Sequence, residues 1–190
     1  ATALAVAAVS EAEALRAAGL GAPILIMGPL AGDEWHPAAA VGAEPTAWTP
    51  EAVAAVAAAG DRRRGRVAVH LKLDTGMGRL GARPEDVAAL VEAAAPAGPG
   101  LRVAGVRTPF ATADETEGEN AGFMAEQLVR FRGRLPALRR RFPDAVVHAA
   151  NSAATLRDPA AAFDMVRCGI ALYGCSPFMG DPDADGLRPA

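Results

Sequence analysis

The chain has 190 residues, 51% of them hydrophobic and 22% charged, which is enough apolar material for one domain with a sizeable core. Its net charge of −3 and its pI near 5.6 exclude the strongly basic surface of nucleic-acid-binding proteins, so we predict no nucleic-acid partner. The apolar opening, residues 1–9, is short and lacks a basic leader. We therefore expect neither a secretion signal nor a membrane span, and a soluble protein.

Short apolar runs alternate with longer helical stretches along the whole chain. Helix starts are predicted at Ser10, at Pro50 and at Pro84, because a capping residue or a proline there is followed by acidic side chains. The seven predicted strands lie at residues 3–9, 24–28, 45–48, 67–74, 103–108, 146–149 and 165–173.

This regular alternation of strand and helix predicts an α/β fold with a parallel sheet. Seven successive units indicate a (β/α)8 TIM barrel that is incomplete, with one unit missing. The alternative is an open doubly wound sheet, but the glycine-rich dinucleotide-binding turn typical of that fold is not found in the sequence. No second domain is visible.

The two cysteines, Cys168 and Cys175, fall on the last predicted strand, seven residues apart. At about 3.3 Å per residue, an extended strand separates them beyond disulfide reach. We therefore predict reduced thiols and a cytoplasmic protein. No metal site is predicted.

Lys72 is the only lysine among nineteen basic residues, and it lies on the predicted strand 67–74. One interpretation is chance survival in a chain that uses arginine wherever either residue will do. The other is a chemical role, because an amine can lose its proton and react, whereas a guanidinium stays charged. Alternation along the strand places Lys72 on its polar face, near the mouth of a barrel, and the glycine-rich loop that follows would carry Arg79 to the same rim. The alternative is an edge strand with one face in water.

Two later segments carry groups that bind anions. Asn151 and Ser152 follow a predicted strand, so they are either an ordinary helix cap or polar groups facing the mouth. Arg167 lies on the last predicted strand, with Gly169 just after it. Barrels frequently hold phosphate on the loops after their last two strands, so a phosphorylated ligand is expected.

Three long motifs, at residues 71–81, 149–154 and 163–174, with a weaker companion at 23–28, give the sequence a family resemblance over essentially its whole length. It resembles the barrel domain of alanine racemase, whose members use pyridoxal 5'-phosphate. The resemblance implies that Lys72 is not the lysine that holds the cofactor; this position is often carbamylated and positions Arg79. It also implies that Asn151 lies beside the cofactor, that Ser152 and the amides of Gly169 and Ile170 bind its phosphate, and that Arg167 faces its pyridine nitrogen.

The resemblance further implies a parent homodimer that interconverts L- and D-alanine and supplies D-alanine for peptidoglycan synthesis. By the family pattern, the first barrel strand and its cofactor-binding lysine would lie ahead of Ala1, and a second, β-rich domain with a catalytic tyrosine would follow the barrel. We expect residues 1–190 to be a partial barrel domain that is inactive alone. Tyr173, the only tyrosine, lies in the last motif and cannot replace the missing one.

Two positions depart from the family pattern inside the matched region. Pro109 stands where a histidine is usual, and Arg107 where an apolar or aromatic residue is usual. Proline supplies neither a ring nitrogen nor an amide proton. Three interpretations therefore remain open: an alanine racemase, another enzyme with the same cofactor such as a decarboxylase or a racemase of another small amino acid, and a non-catalytic cofactor-binding module. Arg167 argues against a decarboxylase, which usually places a carboxylate at the pyridine nitrogen.

Overall fold

The structure is a computed structural model that describes residues 1–63, 65–95, 98, 100–178 and 186–188. Its strands form one parallel sheet in which every strand pairs with the next along the chain. The strands are β1 (Leu4–Val6), β2 (Ile24–Ile26), β3 (Glu44–Ala47), β4 (Val67–Lys72), β5 (Leu101–Arg107), β6 (Val146–Asn151) and β7 (Met165–Arg167).

Helices follow the strands on the outside of this sheet. They are α1 (Val9–Ala17), α2 (Trp35–Ala40), α3 (Pro50–Arg63), α4 (Val87–Ala94), α5 (Phe123–Arg141) and α6 (Ser152–Arg157), with 3-10 helices at Pro159–Ala161 and Ile170–Tyr173. None of the helices in the described part of the chain is both long and apolar enough to cross a membrane.

The strand order confirms the incomplete (β/α)8 barrel. The order runs from β1 to β7 without reversal, whereas an open doubly wound sheet reverses its order near the middle. The doubly wound alternative was therefore wrong. β1 and β7 are the two ends of the seven-stranded sheet, so one strand position of an eight-stranded barrel is open.

A continuous apolar layer lies between the sheet and the helices. Val69 and Leu71 of β4 are fully buried in it, together with Val56 of α3, Leu90 of α4 and Phe131 of α5. The aliphatic face of β4 therefore packs under the helices. At about 25 cal/mol per Å² of buried apolar surface, this layer is a major source of the fold's stability.

The last strand is shorter than predicted. β7 ends at Arg167, because the backbone of Gly169, with φ −112° and ψ −88°, leaves the extended region and starts the 3-10 helix Ile170–Tyr173. Cys168 and Cys175 therefore do not share a strand, and that premise was wrong. Both are free thiols, as predicted.

The helix starts were predicted with mixed success. α3 begins at Pro50, as predicted. α1 begins at Val9, before Ser10, because the carboxylate of Glu11 accepts hydrogen bonds from the amides of Ala7 and Ala8 and so caps the helix from within its first turn. α4 begins at Val87, because Pro84 lies in a turn that precedes the helix.

Candidate functional site

A cavity of about 930 Å³ opens at the carboxyl ends of the strands. Lys72, Arg107, Asn151 and Arg167 are the last residues of β4, β5, β6 and β7, and all four line it. Parallel strands end at the same rim, so residues far apart in the sequence meet there. The cavity is the size of a typical small-molecule site.

Five of the predicted site residues line this one cavity, and two do not. The lining includes Lys72, Arg79, Asn151, Arg167 and Gly169. Ser152 and Ile170 lie beside it: Ser152 is buried behind Gly169, and Ile170 is half exposed.

Lys72 occupies the most confined position of the five. It is 3% exposed, and its Nζ lies 5.9 Å from the centre of the Trp48 ring. Burial lowers the pKa of Lys72 to about 8, with further lowering by the charges of Arg107, Arg79 and Arg167, against a small opposing effect of Asp74. A minor fraction of the amine is therefore neutral and nucleophilic near neutral pH, far more than for an exposed lysine.

Asp74 organises the loop that carries Arg79 to the cavity. Its carboxylate accepts hydrogen bonds of 2.8 to 2.9 Å from the amides of Gly76, Met77 and Gly78. Gly76 and Gly78 have φ of 138° and 69°, which other residues rarely adopt. The loop thus turns back over the strand end, and the exposed Arg79 reaches the rim.

The segment at the end of β6 is both a helix cap and part of the cavity wall, the two roles that the sequence left open. The side chain of Asn151 accepts a hydrogen bond from the amide of Ala154 and is the N-cap of α6. Asn151 also lines the cavity. The Ser152 hydroxyl oxygen accepts hydrogen bonds from the amides of Gly169, at 2.9 Å, and Ala171, at 3.4 Å. The Gly169 amide is therefore engaged with Ser152, while the hydroxyl hydrogen of Ser152 can still donate to a ligand.

A chain of hydrogen bonds crosses the inside of the barrel from Glu44 to Arg167. Glu44 Oε2 lies 2.8 Å from His70 Nε2, His70 Nδ1 lies 2.8 Å from His148 Nε2, and His148 Nδ1 lies 2.7 Å from an amino group of Arg167. Arginine only donates, so His148 Nδ1 accepts, and neutral His148 donates from Nε2 to His70. His70 then donates from Nε2 to the carboxylate.

The protonation states agree with this direction. Burial, together with the charges of Arg167, His70 and Arg107, pushes the pKa of His148 far below its ordinary value, so His148 is neutral. The hydrogen bond from His70 lowers the pKa of Glu44 against the opposing effect of burial, so Glu44 is ionised. The chain ends on a carboxylate and fixes the guanidinium of Arg167, which also donates to the carbonyl oxygens of Ala149 and Thr108.

Sequence analysis did not predict Glu44, His70 or His148 as site residues. Glu44 lies one residue before the predicted strand 45–48, and His148 lies inside the predicted strand 146–149 without a distinguishing feature. The alternation of β6 places His148 on the inner face, but only the register between the strands brings it to His70 and Arg167.

The cavity is strongly cationic. Lys72, Arg79, Arg107 and Arg167 all line it. Asp164 also lines it, but its carboxylate accepts a hydrogen bond from the amide of Val147 and pairs with Arg139. The arrangement is suited to an anionic ligand, such as one that carries a phosphate or a carboxylate.

Comparisons with known proteins agree with the resemblance in the motifs. The sequence matches the family described as "Alanine racemase, N-terminal domain" over residues 1–177. The alanine racemase of Frankia casuarinae is 43% identical over 199 aligned positions that cover 100% of this chain and 50% of that protein. Alanine racemase 1 of Bacillus subtilis is 40% identical over 192 positions that cover 100% of this chain and 48% of that protein.

A solved structure gives the same result. The alanine racemase of D-cycloserine-producing Streptomyces lavendulae superimposes with a TM-score of 0.92 at 38% identity, over 100% of this chain and 50% of that one. The chain spans about half the length of the curated relatives it matches. On this sequence match, the strand order and the superposition, the chain belongs to the alanine racemase family, and it matches that family's N-terminal domain over residues 1–177.

Proposed function

We propose that the protein containing this chain is an isomerase that interconverts L- and D-alanine with pyridoxal 5'-phosphate. The observation that carries this proposal is the meeting of Lys72, Arg79, Asn151 and Arg167 around one cavity at the strand ends. Each belongs to one of the motifs that carry the family resemblance, and the surplus of cations suits a ligand with a phosphate and a carboxylate.

The residues present fit this cofactor. Ser152 keeps a hydroxyl hydrogen for a phosphate oxygen, and the amides of Gly169 and Ile170 lie at the same turn. Asn151 lies on the cavity wall beside them. We propose that Ser152 and the amides of Gly169 and Ile170 bind the phosphate, with the Gly169 amide exchanging the Ser152 oxygen for a phosphate oxygen. We further propose that Asn151 lies beside the cofactor and that Arg167 faces the pyridine nitrogen. When bound, pyridoxal phosphate supplies an electron sink that acidifies the Cα–H bond of an amino acid.

Arg167 would limit the strength of that electron sink. Burial lowers its pKa to about 10, so it stays protonated at neutral pH. Its hydrogen bonds to His148 and to two carbonyl oxygens hold the guanidinium in place. A fixed cation that only donates leaves a pyridine nitrogen unprotonated, which favours return of the proton to Cα over side reactions.

Lys72 and Arg79 would act as a pair. We propose that the Lys72 amine, which is partly neutral because its pKa is about 8, reacts with carbon dioxide to give a carbamate. The nitrogen–carbon bond forms, and one amine proton leaves to solvent. The carbamate anion would pair with Arg79 and orient it toward the substrate carboxylate.

The remaining features of the parent enzyme are proposals drawn from the family resemblance. They are a covalent cofactor lysine and a catalytic tyrosine outside residues 1–190, a β-rich domain after the barrel, a cytoplasmic homodimer, and a role in supplying D-alanine for the cell wall. Exposure of Ile170, Leu172 and Tyr173 at 50%, 62% and 72% supports a subunit contact near β7. The 190-residue polypeptide alone would be inactive.

The intact protein tests the main proposal. Addition of pyridoxal phosphate should give a covalent adduct that borohydride traps, and L-alanine should lose its optical rotation. Arg79→Leu should reduce kcat/KM at least about 100-fold, because it removes the guanidinium proposed to bind the substrate carboxylate. The exposed Arg83→Leu is the matched control and should leave kcat/KM unchanged. Absence of both adduct and racemisation would refute the proposal.

Pro109 supports a second candidate, a non-catalytic cofactor-binding module. Pro109 lines the cavity, and its carbonyl oxygen accepts a hydrogen bond from Gln127. The proline side chain can neither accept nor donate a proton. A trapped adduct without racemisation would favour the cofactor-binding module. Racemisation of serine in preference to alanine would favour a racemase of another small amino acid.

A further inference from the structure

Arg107 is a buried cation that the proposed mechanism does not use. It is 3% exposed and is the last residue of β5. In the sheet register it lies between Lys72 of β4 and His148 of β6. Its side chain lines the same cavity as Lys72 and Arg167.

Part of the Arg107 guanidinium lacks a hydrogen-bond partner. One terminal nitrogen donates to the carbonyl oxygen of Met27 at 3.2 Å, and Nε, which is buried, has no partner. None of the ion pairs in the described part of the chain includes Arg107. A buried cation without a counter-ion is costly, because it loses its hydration and gains no opposite charge.

The neighbouring charges increase the free-energy cost of burying Arg107. Burial and the charge of Arg167 lower the pKa of Arg107 to about 9, so it remains protonated at neutral pH. Arg107 and Arg167 both lower the pKa of Lys72. Three basic groups thus share one cavity wall, and any anion that enters relieves their mutual repulsion.

We propose that Arg107 is an anion-binding residue that takes a carboxylate-type oxyanion through its unpaired Nε and a terminal nitrogen. A guanidinium presents two parallel N–H groups that match the two oxygens of such a planar anion. The anion has two possible sources: a carbamate on Nζ of Lys72, or the carboxylate of a free small molecule. Only the first source rests on the proposed function.

The direct test follows the Arg107 Nε–H resonance by nitrogen-15 NMR in the intact protein without added pyridoxal phosphate. One arm titrates sodium acetate at constant ionic strength, and the other titrates carbon-13 bicarbonate in wild type and in Lys72→Gln. A saturable shift with acetate identifies a free carboxylate. A shift with bicarbonate that is lost in Lys72→Gln, with a carbamate carbon signal lost in parallel, identifies the Lys72 adduct.

The variant Arg107→Gln lacks the Nε–H group, so its anion binding is followed by the carbon-13 signals of labelled acetate and of the Lys72 carbamate. Binding should be weaker by about tenfold or more, because the variant removes a charged pair of donors. Arg102→Gln is the matched control, since Arg102 is an exposed residue of the same strand, and it should bind within about twofold of wild type. Arg107→Lys, which keeps the charge, replaces Arg107→Gln if the latter does not fold. An Nε–H resonance that moves with neither acetate nor bicarbonate would overturn the proposal, whatever the outcome of the racemisation assay.

Discussion

The two faces of the barrel wall are stabilised in different ways. Outside, under the helices, Leu71, Leu90 and Phe131 are fully buried and make apolar contacts. Inside, Glu44, His70, His148 and Arg167 are joined by directional hydrogen bonds of 2.7 to 2.8 Å. The outer layer depends on buried area, which many sequences can supply, whereas the inner chain depends on each donor meeting its acceptor. The outer face therefore tolerates similar replacements, and the inner face does not.

The largest effect is expected in the outer layer, from Phe131→Ala. Phe131 is fully buried and packs edge-on against Phe163, with ring centres 5.5 Å apart. Its loss should lower the free energy of unfolding by about 3–5 kcal/mol, measured by urea denaturation. Val129→Ala, on the same helix and 70% exposed, is the control and should change it by less than about 0.5 kcal/mol. Similar losses for the two variants would contradict the outer layer as described.

The next effect tests how closely the inner chain is packed. A Cβ added at Gly105 would lie 2.2 Å from His70 Nδ1, the atom that contacts His148. Gly105→Ala should therefore displace His70 and cost up to about 3 kcal/mol in the same assay. Gly133→Ala has free space around its Cβ inside α5 and should stabilise the protein by up to about 1 kcal/mol. If Gly105→Ala left the free energy of unfolding unchanged, the inner face would be as tolerant of replacement as the outer one.

The third prediction concerns pH, which should affect the inner face through His148 and Glu44. The folded-state pKa of His148 lies below its ordinary value of 6.5. Below pH 6.5 the unfolded chain therefore binds a proton that the folded chain does not, and the free energy of unfolding should fall by up to about 1.4 kcal/mol per pH unit. The pKa of Glu44 is also lowered, so its contribution, present above pH 4.5, should be lost only at more acidic pH.

Urea denaturation at pH 5, 6, 7 and 8 measures this dependence. The variant His148→Gln keeps a donor and an acceptor but cannot titrate, so its stability should vary less between pH 7 and pH 5. An unchanged slope in His148→Gln would assign the acid sensitivity to another group.

The smallest effect is expected for a single neutral hydrogen bond. The buried Thr46 hydroxyl donates to the carbonyl oxygen of Ile26 at 2.7 Å. Thr46→Val should cost about 1 kcal/mol, because the carbonyl loses its donor while the shape is kept. Thr112→Val, at an exposed hydrogen bond, is the control and should change the unfolding free energy by less than about 0.5 kcal/mol. Equal losses of unfolding free energy in the two variants would show that burial does not strengthen the hydrogen bond of Thr46.

Much of the fold was predictable, because the signals are local. The alternation along β4 separates Val69 and Leu71 from His70 and Lys72, and it requires no knowledge of the neighbouring strands. The end of β7 was not predictable from alternation, since the apolar run continues to Tyr173 and only the backbone turn at Gly169 stops the ladder. The candidate site was partly predictable, because the last residue of a barrel strand always lies at the rim.

By itself, the sequence determined the class of fold, the family and the motifs that carry Lys72, Arg79, Asn151 and Arg167, because short-range periodicity and motif order carry that information. Only the tertiary structure decided which groups meet. Strand register brings Glu44 to His70 and His148 to Arg167, and it leaves Nε of Arg107 without a partner beside Lys72. Hydrogen bonds and charges act over a few ångströms in space, and the sequence separation of two residues does not reveal that distance.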